Sequence, residues 1–400
     1  MKTEIRSMTN AEIDTWLTTM ARAEGRHLSK DSLVYGKNLI ESDRALSIYD
    51  SGQIVGTIHT ELSTINVPGN ILQTAILAYV TTQPTHRRRG MLTKLITYQL
   101  SSLYEEGIPL SNLFASESLI YGRFGYGIAT QREDWTIERP HTGFIDNRSY
   151  NGQVEFVDSE HMRTEFPSIY DEAIKGRPGI VHRPNKHWDL LAMDPEERRK
   201  GYGKFFFVEY KSQNVPKGYV MYRIKGNNLR VRELMSTDHE SYSALWQYCF
   251  GVDLITTFEA KDRVGDDSLP WLLIDPRKLR RSVQDGMWLR IIDTTQVLEN
   301  RSYNCDGNLT LRILDKLCPW NEKTLKLTSD NGGTICKESN ESPDLTLTAG
   351  TLGSAYLGGV GFTNLGKMGL VEEHTFGKLK VAEDMFYNSL APWSPDTFEG

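Results

Sequence analysis

Three consecutive arginines followed by a glycine, Arg87 to Gly90, form the segment of this sequence best suited to bind a phosphate group. Guanidinium groups bind phosphate oxygens through paired hydrogen bonds, and a glycine lets a phosphate approach the main chain closely. If a helix begins directly after the glycine, the free N–H groups of its first turn add the positive end of the helix dipole. The segment is therefore a candidate pyrophosphate site, although a solvated basic turn is an open alternative. The candidate contacts are Arg88, Arg89, Gly90, Met91, Leu92 and Thr93.

The elements on either side favour the phosphate interpretation. Residues 71–83, ILQTAILAYVTTQ, are apolar and rich in β-branched side chains, which predicts a strand. Residues 92–106 have apolar side chains at helical spacing, which predicts a helix. These apolar positions are Leu92, Leu95, Ile96, Leu100 and Leu103. The glycine therefore falls between the end of a strand and the beginning of a helix.

The composition predicts a globular protein of two or three domains, since 400 residues exceed a usual single domain. No apolar segment approaches the ~20 residues needed to span a bilayer, and the first residues lack an apolar signal core. The four cysteines have no close pairs, which favours a reducing cytoplasm over a zinc site or a disulfide scaffold. A net charge of −6 gives no general attraction to nucleic acid. We therefore expect a cytoplasmic protein with no bound metal and no nucleic-acid or membrane partner.

The order of predicted elements indicates α/β architecture. Residues 1–140 contain two helices, a three-stranded meander, the helix at 92–106, a strand, a short helix and a last strand at 128–138. Residues 141–285 repeat the order of meander, strand and helix, but the junction at 236–240, STDHE, has neither glycine nor arginine. Residues 286–400 suggest a sheet with polar turns and a closing helix. We therefore place the domain boundaries at 1–140, 141–285 and 286–400.

Two motifs resemble a known family. The segment Arg87-Arg88-Arg89-Gly90 is followed about thirty residues later by Tyr121-Gly122-Arg123-Phe124-Gly125-Tyr126, as in the GNAT N-acetyltransferases. The phrases PTHRRRGML and SESLIYGRFGYG are closer still to the Eis-type aminoglycoside acetyltransferases, and the resemblance covers the whole chain. It implies tandem GNAT-like mixed sheets with flanking helices, of which the second is degenerate and carries no second acetyl-CoA site. It also implies a C-terminal sterol-carrier-protein-like domain with a structural role.

The resemblance implies acetyl-CoA as the acetyl donor. Main-chain groups of Val80, Thr81 and Thr82, at the end of the central strand, are then expected to pair with the pantetheine arm and to polarise the acetyl carbonyl. Ser116 and Glu117 are expected to contact the same cofactor.

Tyr121 is the predicted general acid. A phenol with a reference pKa of ~10 keeps its proton at neutral pH and suits a departing thiolate. Tyr126, in the same loop, is the alternative tyrosine, and the family places a packing aromatic there.

The same resemblance assigns the general base to the C-terminal carboxylate, here that of Gly400. Its reference pKa of ~3.5 keeps it ionised, and Trp393 and Phe398 could anchor the tail. Glu24, Tyr79 and Glu399 are possible contacts for a cationic polyamino substrate such as an aminoglycoside. The family also implies a homohexamer. Two alternatives are open: the same chemistry on a protein lysine or a natural polyamine, and a non-enzymatic lipid or sterol carrier based on residues 286–400.

Overall fold

A computed structural model describes residues 3–146, 150–330 and 332–395 and contains twelve α-helices and nineteen strands within those ranges. The helices are α1 Ile13–Ala23, α2 Lys30–Leu39, α3 Met91–Glu105, α4 Ser118–Tyr121, α5 Ser159–Ala173, α6 Asn185–Met193, α7 His239–Gly251, α8 Leu269–Leu272, α9 Thr294–Glu299, α10 Ala349–Ala355, α11 Phe362–Lys367 and α12 Lys378–Phe386. The strands are β1 Thr3–Ser7, β2 Ala45–Asp50, β3 Gln53–Val67, β4 Asn70–Thr82, β5 Leu110–Phe114, β6 Gly127–Ile128, β7 Gln131–Glu138, β8 Gln153–Val157, β9 Phe206–Ser212, β10 Val215–Lys225, β11 Asn228–Ser236, β12 Thr257–Arg263, β13 Arg280–Asp285, β14 Met287–Ile291, β15 Gly307–Leu314, β16 Thr324–Asp330, β17 Gly333–Glu338, β18 Leu345–Thr348 and β19 Val371–Glu373.

These elements form two compact units. Among the described residues, the first unit comprises residues 3–130, Gly176–His182 and Asp285–Ser394, and the second comprises residues 131–146, 150–175 and Arg183–Gln284. The first contains a seven-stranded sheet in the order β1-β2-β3-β4-β5-β14-β6 and a five-stranded sheet in the order β17-β16-β15-β18-β19. The second contains a seven-stranded sheet in the order β13-β7-β12-β11-β10-β9-β8. The predicted α/β class with mixed sheets is therefore confirmed.

Helix α3 connects two parallel neighbours, β4 and β5, in the first sheet. Its predicted apolar face is confirmed, because Leu95, Ile96, Leu100 and Leu103 are all at most 1% exposed. Burying each such side chain stabilises the fold by about 1.5–3 kcal/mol. This packing fixes the start of α3 beside the end of β4, which is where the basic turn lies.

Strand β14 completes the first sheet from far along the chain. It pairs antiparallel with β5 on one side and with β6 on the other, and all five of its residues are buried. The strand predicted at 128–138 is divided: residues 127–128 form β6, while β7 belongs to the second sheet. Side-chain alternation specifies which face of a strand is buried and does not specify its neighbour. The three-domain division with boundaries at 140 and 285 stays a prediction.

At the centre of β14 lies a buried ion pair. Arg290, which is 0% exposed, donates from Nη1 to Asp315 Oδ2 at 2.8 Å and from Nη2 to Asp315 Oδ1 at 2.7 Å. Asp315 also accepts from the main-chain N–H of Cys318 at 3.1 Å and from Asn321 Nδ2 at 3.1 Å. These contacts satisfy both oxygens of Asp315, while Arg290 Nε is buried without a hydrogen-bond partner.

The described residues contain no helix that is both long and apolar enough to cross a membrane. Within the same ranges, no group of three or more acidic, histidine or cysteine side chains is arranged to hold a metal ion. All four cysteines are free, and Cys305 is the exposed one among them.

Candidate active site

Strand β4 separates from β5 halfway along its length. The two strands pair only at Thr74↔Leu110, Ala75↔Ser111 and Ile76↔Asn112, and β5 then continues against β14. Beyond Ile76, β4 pairs with β3 alone among the described strands. The main-chain N–H and C=O groups on one edge of residues 77–82 are therefore available to an extended ligand, which could add to the sheet as a further strand.

A bulge lies inside this open segment. The register between β3 and β4 shifts between Thr57 and His59, and Tyr79 opposite has φ +52°, an uncommon conformation for a bulky residue. Thr57 Oγ1 supports the bulge by contacting Tyr79 O at 2.9 Å and Thr81 Oγ1 at 2.6 Å. A bulge redirects the groups that follow it and is common beside active sites. Tyr79, predicted as a pocket wall, therefore shapes the main chain that leads to Val80, Thr81 and Thr82.

The three arginines of the basic turn have different environments. Arg87 donates from Nη2 to Ala23 O at 3.0 Å, at the end of α1, and from Nε to Thr82 O at 3.4 Å. Arg88 and Arg89 are exposed and make no hydrogen bond or ion pair with any described residue. Arg87 therefore stabilises the turn, while Arg88 and Arg89 are free to bind an anion.

The start of α3 is uncapped. Gly90 occupies the N-cap position with φ +76°, a left-handed conformation in which other residues are strained, and no side chain caps the helix. An added Cβ at Gly90 would meet no heavy atom within 4 Å, so the space beside it is open. The first-turn N–H groups of Met91, Leu92 and Thr93 are therefore available, as the pyrophosphate interpretation requires.

Tyr121 is buried but keeps an available hydroxyl. Its side chain is 6% exposed, and burial alone raises its pKa to about 12. The hydroxyl makes no hydrogen bond to a described residue, yet it is not among the buried unsatisfied atoms, so it faces solvent. By contrast, the Tyr126 hydroxyl is 2.9 Å from Ser111 Oγ, in a fully buried pair. Tyr121 is therefore the better proton donor of the two.

The structure shows why residue 125, in the loop between Tyr121 and Tyr126, is a glycine. It has φ +79°, and an added Cβ would lie 2.9 Å from Cζ of Arg290. The turn after Tyr121 therefore needs a glycine for its conformation and for the close approach of the buried guanidinium. The packed ring of Tyr126, T-shaped to Tyr121 at 6.0 Å, follows directly.

The structure brings most of the predicted site together. Val80 and Leu92 pack against one apolar core cluster that contains Met91 and Tyr121, so the strand end, the helix start and the tyrosine adjoin the same core. Ser116 and Glu117 are exposed between β5 and α4, and Glu117 is the N-cap of α4. No contact in the structure joins these two residues to the basic turn.

The predicted substrate contacts are less well placed. Glu24 follows α1, is partly exposed and pairs with Arg26. Glu399 and Gly400 lie outside the described residues. Trp393, one of the predicted tail anchors, is 6% exposed and donates its main-chain N–H to Pro178 O at 2.9 Å. The tail is therefore fixed within the first unit to that point.

Sequence reasoning missed two parts of the site. The bulge at Tyr79 has no glycine or proline to mark it, and the pattern of β4 is unbroken in the sequence. Arg290 lies in a segment that sequence order assigned elsewhere, and only the pairing of β14 with β5 and β6 places it under Gly125.

Comparison with protein-family models agrees with this geometry. An acetyltransferase (GNAT) domain model matches residues 4–129, and a second acetyltransferase (GNAT) domain model matches residues 179–291. A sterol carrier protein domain model matches residues 294–395.

Whole proteins are similar as well. An uncharacterized N-acetyltransferase of Streptomyces avermitilis is 31% identical over 100% of both chains. The N-acetyltransferase Eis of Mycobacterium tuberculosis is 30% identical over 83% of each chain. Among solved structures, Eis1 from Mycobacterium abscessus superposes with a TM-score of 0.85 at 29% identity, covering 99% of this chain and 100% of that one. A GCN5-related N-acetyltransferase from Anabaena variabilis, at 20% identity and a TM-score of 0.88, has the same fold.

Proposed function

The chain belongs to the Eis-type family of GNAT N-acetyltransferases, and from that membership we propose that it acetylates an amine of a small cationic polyamino substrate, such as an aminoglycoside. GNAT acetyltransferases use acetyl-CoA as the acetyl donor. The observation that carries the proposal is the combination, around one core cluster, of an open β4 edge, an uncapped α3 and the available hydroxyl of Tyr121.

The residues present fit acetyl-CoA. Arg88, Arg89 and the N–H groups after Gly90 offer positive charge and unpaired donors, which a diphosphate requires. The edge formed by Val80 to Thr82 offers main-chain groups to an extended, amide-containing arm. Acetyl-CoA would supply an activated acetyl thioester.

The proton-transfer roles follow from the chain's own groups. We propose that Tyr121 Oη delivers a proton to the leaving group, because its raised pKa keeps it protonated at neutral pH. We propose the α-carboxylate of Gly400 as the base that accepts a proton from the substrate ammonium. The chain is held as far as Trp393, whose main-chain N–H donates to Pro178 O at 2.9 Å.

The differing environments of the three arginines give a first prediction. Replacing Arg88 and Arg89 together by glutamine should raise KM for acetyl-CoA by about tenfold or more, because charge-assisted hydrogen bonds are worth about 1.5–3 kcal/mol each. kcat at saturating cofactor should change little, since neither side chain reaches the reacting atoms. Steady-state kinetics would measure both constants.

Arg87→Gln is the matched control. Because Arg87 holds the turn to α1, its loss should lower the thermal midpoint more than the double substitution does. An unchanged KM in Arg88→Gln, Arg89→Gln would contradict the phosphate assignment.

The acceptor class is tested by thiol release from acetyl-CoA. We expect kcat/KM to be highest for aminoglycosides in a panel that also contains linear polyamines and lysine-containing peptides. A higher kcat/KM for peptides or polyamines would show that the preferred acceptor is not an aminoglycoside. It would leave the assignment of acetyl-transfer chemistry unchanged. Lipid binding with no affinity for acetyl-CoA would overturn the enzyme assignment in favour of a carrier.

The remaining assignments rest on family resemblance. Glu24, Tyr79 and Glu399 are proposed substrate contacts, and Ser116 and Glu117 are proposed cofactor contacts. We also propose a homohexamer, whose mass light scattering would give, and a cytoplasmic location.

A further inference from the structure

The second sheet has an unusually cationic face. In its central strands, apolar residues that face the core alternate with charged residues that point to the opposite side. On β11, for example, the buried Val231 lies between Arg230 and Arg232. Arg223 on β10 is paired with Arg230, and Arg132 and Lys261 come from β7 and β12.

A cavity of about 310 Å³ lies on this face, with the segment 199–205 as one wall. Of the described side chains that line the cavity, seven are cationic and two are carboxylates. Tyr202 and Phe205 add aromatic surface to the wall. Its volume is at the lower end of the range for small-molecule sites, and its lining is far more charged than is usual for them. The excess of positive charge is notable in a chain with a net charge of −6.

Four carboxylates pair with the cations of the cavity: Asp134 and Asp262 line it, Glu259 pairs with Arg230, and Asp194 pairs with Arg199 and Arg223. Asp262 accepts from both Arg132 at 2.8 Å and Arg232 at 2.9 Å, so one carboxylate serves two guanidinium groups. Asp134 accepts from Lys261 at 2.5 Å. Lys200, at the wall, has no ion-pair or hydrogen-bond partner among the described residues. Seven cations and four carboxylates therefore meet at the cavity, so positive charge is in excess there.

Arg223 shows the imbalance most clearly. It is 6% exposed, and its Nη2 donates to Asp194 Oδ1 at 2.5 Å, while its Nε is buried without a hydrogen-bond partner. Its guanidinium lies 3.7 Å from the ring centre of Phe205. Burial and the neighbouring arginines outweigh Asp194 and lower the pKa of Arg223 to about 10. The protein alone therefore leaves a positive potential at this point that an anion would neutralise.

A second acetyl-CoA site does not explain the cavity. Asp238 occupies the N-cap of α7 and accepts from Ser241 N at 2.8 Å, so a carboxylate lies where the first unit has Gly90. Arg263, 5% exposed, donates to Leu234 O at 3.2 Å, between the parallel strands β11 and β12. β11 and β12 pair only as far as Val231, so a side chain of the protein itself occupies the gap beyond, and the helix that follows β11 is capped by a carboxylate.

We propose that this cavity binds a small polyphosphate anion. Several converging guanidinium groups suit phosphate oxygens, since each offers a planar pair of donors and a fixed charge. The limited volume favours a compact ligand of two or three phosphates. The source is either an inorganic polyphosphate or the phosphate chain of a nucleotide.

The test is calorimetric titration of the full-length protein with tripolyphosphate and, separately, with ADP, in the presence of EDTA. Wild-type protein should bind at least one probe, and the affinity should fall as salt increases from 50 to 200 mM, as ionic binding requires. Equal affinities for tripolyphosphate and ADP would show that the cavity recognises phosphate groups alone. Tighter binding of ADP would show that the ligand is a nucleotide.

The variant Lys200→Gln, Arg230→Gln should weaken binding at least tenfold. Lys200 is exposed, whereas Arg230 is half-buried and pairs with Glu259 at 2.7 Å, so the thermal midpoint of the variant is measured beside its affinity to separate lost binding from lost stability. Lys175→Gln, which removes a 76%-exposed lysine just after the end of α5, is the control and should bind as wild type does. Absence of binding for both probes at millimolar concentration, or equal weakening in the control, would overturn the proposal. Acetyl transfer by the first unit should be unchanged in both variants, so this outcome is separate from that of the enzymatic assay.

Discussion

Replacing Tyr121 by phenylalanine should lower kcat by about 10²–10³-fold, the usual contribution of a positioned general acid. The hydroxyl makes no hydrogen bond to a described residue, so its removal leaves no partner unsatisfied. Stability should therefore change by less than about 1 kcal/mol. A large kinetic effect with almost no change in thermal midpoint would distinguish a catalytic hydroxyl from a packing side chain.

Tyr126→Phe is the matched control, because it removes a hydroxyl from the same loop. It breaks the buried contact with Ser111 and should cost about 1 kcal/mol of stability with little change in kcat. Turnover by Tyr121→Phe at the wild-type rate would contradict the assignment. A chain extended by several residues beyond Gly400 tests the proposed base in the same assay, and it too should be slow.

The pH profile gives an independent check on Tyr121. Because burial raises its pKa from 10 to about 12, the phenol should keep its proton through pH 10. Loss of a required proton lowers kcat at high pH. Because Tyr121 keeps its proton through pH 10, we expect no decline of kcat from this group between pH 7 and 10. A decline centred near 10 that disappears in Tyr121→Phe would show that the pKa is not raised.

The second large effect concerns stability. Arg290→Met should destabilise the first unit by about 3–5 kcal/mol, because Asp315 would remain buried without its charge partner. The guanidinium also packs beneath Gly125, so its loss should disturb the loop that carries Tyr121. Urea unfolding followed by tryptophan fluorescence would measure the change in midpoint.

The control is the double variant Arg290→Met, Asp315→Asn. Removing the second charge eliminates the uncompensated carboxylate, so the double variant should be more stable than Arg290→Met alone. Equal stability of the two variants would show that the Asp315 carboxylate is stabilised by groups other than Arg290. The Arg290–Asp315 pair would then contribute to stability mainly through packing.

The candidate site could be predicted from sequence where the chemistry is local. The strand, the basic turn and α3 are contiguous, so periodicity and one glycine were sufficient to predict them together. The motif from Tyr121 to Gly125 is also local, and the structure adds the reason for its glycine. The assignment of Tyr121 over Tyr126 came from resemblance, and the structure supports it through the hydroxyl contact that Tyr126 makes with Ser111.

The parts that depend on distant pairing could not be predicted. Nothing in Met287–Ile291 indicates a position between β5 and β6, because an apolar strand of five residues fits many neighbours. The division of the predicted strand at 128–138 between two sheets has the same origin. The cationic cavity was missed because its residues are spread over several strands and a loop, with no local motif.

The late position of β14 in the chain has a consequence for biosynthesis. Strand β5 is buried in the finished sheet, but one of its edges has no partner until residues 287–291 leave the ribosome. Most of the second unit is synthesised after β5 and before β14. At usual elongation rates this interval lasts on the order of ten seconds. During that time an apolar strand edge is open to other nascent chains. A gene shortened to residues 1–140 would lack β14, so this edge of β5 would stay unpaired. The catalytic motifs should therefore require nearly the whole chain to form a soluble enzyme.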